Sequence, residues 1–118
     1  MEAPSKITAQ RLSKTLPDST SIAEKYYSLL STLNKLSLTQ REVELIAFTA
    51  IKGNISYANI RKEFCEKYNS SSATINNMIS KLKKIGVFVK DGTKIKVNPA
   101  IVLNFDNHLV LQITLKHG

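Results

Sequence analysis

Cysteine is nearly absent from this sequence. Cys65 stands alone, so no disulfide closes within the chain, and no second thiol or nearby histidine completes a metal site. His108 and His117, the only histidines, lie near the end, remote in sequence from Cys65. Acidic residues number nine. No glycine-rich phosphate loop and no Ser/His/Asp set can be assembled. These shortages argue against catalysis and imply no cofactor and no metal. Cys65, spaced between Phe64 and Tyr68 on one helical face, reads as core packing rather than as a nucleophile. No uncharged apolar run approaches about eighteen residues, so no membrane span is expected. Residues 1–20 mix Lys6, Arg11 and Lys14 with Pro4, Pro17 and several hydroxyls, without the apolar stretch a secretory signal needs. A reducing, cytoplasmic setting follows as the expectation.

Arginine is scarce, three against fourteen lysines, and this bias suits an AT-rich genome as well as any function. What is present is an ordinary globular composition, 42% apolar and 22% charged over 118 residues, enough for one domain with a modest core. The net charge is +8, and it is unevenly spread: residues 56–98 carry a net +6. One basic stretch of this kind fits a polyanionic partner.

Residues 1–20 read as a flexible arm. Ser19 to Ser21 offer capping hydroxyls for an amphipathic helix over 21–37, with Ile22, Tyr26, Leu29, Leu30, Leu33 and Leu36 as its apolar stripe. That stripe must be buried, either on the same domain or on a second copy. Thr39 and Glu42 have the spacing of a capping box, and the helix they open is apolar nearly all round from Val43 to Ile51, ending at Gly53-Asn54. Ser56 caps a third helix to about Tyr68, with Tyr57, Ile60, Phe64, Cys65 and Tyr68 on one face. The serine run 70–72 introduces a fourth, with Ile75, Met78, Ile79, Leu82 and Ile85 toward the core and Gly86 closing it. The period then changes to that of strands. Val87 to Lys90 and Lys94 to Val97 flank an Asp91-Gly92 turn, a hairpin signal. Asn98-Pro99 marks a stop, or the start of a short helix through Leu103. Alternation of Leu109, Leu111, Ile113 and Leu115 with more polar residues predicts a last strand in the extension 99–118.

The fold class read from this order is mainly α with a small β hairpin (α+β). The segments LTQREVELIAFTAIKGNIS, INNMISKLKKIGVFVKDG and TKIKVNP, within 38–98, resemble the winged helix-turn-helix superfamily. The opening LTQRE also resembles response-regulator domains, but those end without a wing. Ile55 then corresponds to a very short strand that pairs with the wing. The resemblance implies a fourth helix in the major groove of double-stranded DNA and a wing on the phosphates.

At 100° per residue, the face opposite the core holds Ala73, Asn77, Ser80 and Lys84, with Asn76 and Lys81 flanking it. Ala73, Asn76, Asn77, Ser80 and Lys84 form the candidate base-contacting set, since Asn pairs with adenine, Ala meets a thymine methyl and Lys reaches guanine or phosphate. Ser70, Ser71 and Ser72 at the helix start, Arg61, Lys81, and Lys90, Lys94 and Lys96 of the wing form the phosphate-contacting set. Lys83 and Lys84 also complement the helix dipole, and the wing lysines also protect strand edges. The expected role is that of a small transcriptional regulator or replication accessory factor, phage- or plasmid-encoded, acting as a dimer. The competing reading is a docking or virion-assembly protein. It would form its oligomer or partner interface through Ile22, Tyr26, Leu29 and Leu33 or through Leu109, Leu111 and Ile113. The polar outer face of the fourth helix favours nucleic acid.

Overall fold

The computed structural model describes residues 18–106. Most of the arm and the terminal strand expected at Leu109, Leu111 and Ile113 lie outside the described residues. Within them the protein is mainly helical, with four helices, one two-stranded antiparallel sheet and a single 3₁₀ turn. No helix among these residues is long and apolar enough to cross a membrane.

Helix α1 spans Ser19–Leu33. Its cap is Asp18, not the serines after it, because the Asp18 carboxylate accepts the Ser21 N–H at 2.8 Å. The hydroxyl of Ser19 instead donates to Asp106 at 2.6 Å. The helix stops before Leu36, and Lys35 and Ser37 take positive φ in the linker. The most buried face is shifted from the expected stripe, of which Ile22, Tyr26, Leu30 and Leu36 still pack, half-buried, against the core. Ala23, Tyr27 and Ser31 are buried, whereas Ile22, Tyr26 and Leu29 are half-buried and Leu33 is 56% exposed. The docked face is thus turned by roughly 100° from the leucine-rich one. Tyr27 sets the rotation: its hydroxyl donates to the Ile101 carbonyl at 2.8 Å, and Phe105 packs 5.7 Å from both the Tyr26 and Tyr27 rings. Ser31 accepts the Leu38 N–H, which pulls the linker onto the same face.

Helix α2 (Gln40–Lys52) opens with the capping box read from the sequence: Thr39 Oγ1 accepts the Glu42 N–H, and Glu42 Oε1 accepts the Thr39 N–H. Val43, Leu45, Ile46, Ala47, Phe48 and Thr49 are all buried, so α2 is the central element. Ile51, in its last turn, is exposed. Gly53 ends the helix at φ +93°, a conformation that side chains bearing a Cβ rarely adopt.

Helix α3 (Ala58–Tyr68) starts at Tyr57 without any side-chain cap. Ser56 is not its cap, because its hydroxyl accepts the N–H of Ile95 in the hairpin. Ile55 donates its own N–H to the Ile95 carbonyl at 2.9 Å, so this two-residue link holds the hairpin without being a strand itself. Phe64 is fully buried and meets Phe48 edge-on at 5.3 Å, while Tyr57 is exposed and contributes nothing to the core face expected of it.

Helix α4 (Ser72–Lys84) buries Ile75, Met78, Ile79 and Leu82. Ile85 is its C-cap and is 42% exposed rather than buried, since the chain leaves helical geometry there and turns through Gly86 at φ +83°. The strands β1 (Phe88–Asp91) and β2 (Lys94–Val97) pair with Phe88 opposite Val97 and Asp91 opposite Lys94. Asp91 is therefore the last ladder residue, and the turn is Gly92-Thr93. Positive φ at Gly92 alone matches a type II′ hairpin. Asn98 then caps the 3₁₀ turn Pro99–Ile101, so of the two sequence readings, a stop or a short helix through Leu103, the second holds in shortened form.

Candidate nucleic-acid interface

Helix α4 is placed by one buried face and two lateral ties. Inward, Ile75 and Leu82 are fully buried. Outward, Ala73, Asn77, Ser80 and Lys84 are all exposed, the four residues that the angular reading assigns to the outer face. No large apolar side chain interrupts this strip. Its N-terminus is capped by Ser71, whose hydroxyl accepts the Thr74 N–H at 3.2 Å and shares a hydrogen bond with Thr74 Oγ1 at 2.9 Å. The Ser71 hydroxyl is thereby already engaged. Ser72 opens the first turn, exposed, and Ser70 is half-buried with its N–H bonded to the Cys65 carbonyl.

The two flanking residues are both fastened to the body of the protein. Asn76 Oδ1 accepts from Arg61 Nη1 at 2.8 Å, and the same guanidinium donates through Nε to the Ile55 carbonyl at 2.8 Å. On the other flank, Lys81 Nζ lies 3.0 Å from Glu42 Oε1. Arg61 and Lys81, both placed in the phosphate-contacting set by the sequence, are thus also tied to partners within the protein. Sequence reasoning missed both ties because each joins residues that are distant in sequence. The capping-box spacing did mark Glu42 as a fixed carboxylate, which is a natural target for a lysine on the neighbouring helix.

The hairpin hangs from the end of α4. Val87 donates its N–H to the Leu82 carbonyl at 3.0 Å, and Asn98 donates its N–H to Val87 and its side-chain amide to Gly86. The register sorts its three lysines. Lys94 and Lys96 share a face with Asp91, and Lys90 belongs to the other face, beyond Phe88 and Val97. Lys96 Nζ pairs with Asp91 Oδ2 at 2.8 Å, and this neighbouring ammonium holds the Asp91 carboxyl below the usual carboxylate range. Lys90 and Lys94 are exposed and form no ion pair among the described residues, and neither do Lys83 and Lys84. Four unengaged ammonium groups therefore lie on the last turn of α4 and the hairpin joined to it.

A shallow groove of about 340 Å³ lies elsewhere, lined by Thr49, Ala50, Gly53, Lys96, Val97, Pro99 and Val102. Exposed Ile51, Val102 and Leu103 make its neighbourhood apolar. No family model, no curated protein and no solved structure matches this chain.

Proposed function

We propose that the chain is a non-catalytic, duplex-DNA-binding module of the winged helix-turn-helix kind, serving as a small transcriptional regulator or replication accessory factor. Helix α4 enters the major groove and the β1–β2 hairpin acts as the wing on the phosphate backbone. One observation carries this reading. The outer strip of α4 is Ala73, Asn77, Ser80 and Lys84, a set with donors, acceptors and a methyl but no apolar anchor, and the adjoining helix end and hairpin carry Lys83, Lys90 and Lys94, which form no ion pair among the described residues. Such a surface has the groups that base edges and phosphates recognise and lacks the groups that bury a protein interface.

The test is a fluorescence-anisotropy titration against a random AT-rich duplex at two salt concentrations. Micromolar binding that weakens steeply with salt supports phosphate contact, and a folded protein with no binding at low salt rejects it. A second reading, docking onto protein, is favoured by a different observation: Leu33, Ile51, Val102 and Leu103 are exposed. In the DNA-binding reading these residues are available for a homodimer contact.

A further inference from the structure

Arginine has only donors, and this fact fixes the orientation of a neighbouring amide. Asn76 lies on the exposed flank of α4, and its contact to Arg61 Nη1 at 2.8 Å requires that the amide oxygen, not the nitrogen, face the guanidinium. The guanidinium is not itself free to turn, because Nε is bonded to the Ile55 carbonyl at 2.8 Å. Ile55 is fully buried and bonded in turn to Ile95 of β2. A chain of directional bonds thus runs from the hairpin, through the α2–α3 link, to one side chain beside the outer strip of α4.

The geometry points to Arg61 as a specificity-positioning residue that fixes the Asn76 amide with its oxygen against a cation, strengthens it as a donor and so directs it to guanine. This rests on the duplex-binding reading above. A free asparagine recognises adenine by donating to N7 while accepting from N6. With one lone pair of Oδ1 bonded to Arg61, and the cation beside it disfavouring a second donor there, Asn76 leads with its Nδ2 hydrogens. In the major groove guanine presents two adjacent acceptors, N7 and O6, whereas adenine sets a donor beside its N7. Asn77, one residue on and without a side-chain partner among the described hydrogen bonds, keeps both functions and suits adenine. Two successive asparagines of identical chemistry are thereby made to read different bases, one of them set by an arginine that need not touch DNA.

Two measurements test this together. In the free protein, the Arg61 Nε–H signal in ¹⁵N NMR is slow to exchange with solvent, and Arg61→Lys removes the tie while keeping the charge. In site selection on duplex pools, the wild type prefers guanine over adenine at the position facing Asn76 by about tenfold. Arg61→Lys lets adenine rise at that position alone. Asn76→Asp keeps a stronger acceptor for Arg61 but loses the amino group, so guanine preference disappears while the Arg61 signal stays protected. Uniform weakening of Arg61→Lys on every sequence, or rapid exchange of Nε–H in the wild type, overturns the inference. A protected Arg61 in a wild type that binds no duplex overturns the proposed function itself, and the positioning role with it.

Discussion

Lys81 Nζ and the Thr39 N–H converge on a single atom, Glu42 Oε1, at 3.0 and 2.8 Å. The carboxylate that starts α2 therefore also fixes one flank of α4, and Glu42 is buried while Lys81 is partly exposed. Burial acts to raise the Glu42 carboxyl, but the Thr39 hydrogen bond and the Lys81 ammonium together outweigh it and hold it below the usual carboxylate range.

Stability should follow that shift. A carboxyl depressed in the folded state contributes fully above its unfolded value, near 4.5, and the contribution is lost as pH falls below that toward the folded value. Glu42→Gln removes the charge at neutral pH and should cost about 1–2 kcal/mol, given the partial exposure of Lys81. Denaturant melts at pH 7 and pH 3 check this: the gap between wild type and variant narrows in acid.

Because Lys81 is engaged and Lys84 is not, their alanine variants should differ on DNA. Lys84→Ala and Lys94→Ala weaken binding on all sequences and lower the salt slope by about 1 each. Lys81→Ala lowers the slope by less. Equal slopes for the Lys81 and Lys84 variants would contradict the assignment.

Asn77→Ala is expected to change which sites are preferred, at a cost of about 1–3 kcal/mol on the best site and little on random duplex. Competition titration with a panel of single-base variants reads the difference. A loss of the same size on every duplex removes Asn77 from the reading set.

Thr49 Oγ1 is buried with no hydrogen-bond partner among the described residues. Thr49→Val keeps the shape and deletes the orphaned hydroxyl, so it should raise stability by about 1 kcal/mol. A thermal midpoint below that of wild type would show that the hydroxyl is satisfied in solution.

Tyr27→Phe tests the opposite case, a buried hydroxyl that is used. Burial pushes the Tyr27 phenol well above the usual tyrosine range, and its bond to the Ile101 carbonyl is lost in the variant. The expected cost is about 1–2 kcal/mol. Hydrogen exchange should quicken around Ile101 and Phe105 before it does in α2.

Local signals were legible where a short stretch decides its own conformation. The Thr39–Glu42 box, Gly53, the core side of α4 and the hairpin could all be read from a few adjacent residues. The outer strip of α4 followed by angle once that core side was set. What failed was decided by distant partners. The rotation of α1 depends on Tyr27 finding Ile101 and on Phe105 arriving beside it, so the count of leucines misled. Ser56 matches a helix cap by type, but β2 claims its hydroxyl. Arg61, Lys81 and Lys96 look alike on a charge plot and differ only in what lies within 3 Å of them.

The Ser19 hydroxyl and the Asp106 carboxylate meet at 2.6 Å, so the first turn of α1 adjoins the last described residues. The route from Asp18 to Asp106 is consequently almost a closed circuit. A few added residues joining those two points would make it a ring, which could be reopened elsewhere, for example at Gly92-Thr93, to give a reordered chain with the same core. The chain therefore enters the described body at Asp18 and leaves it at Asp106 at neighbouring points.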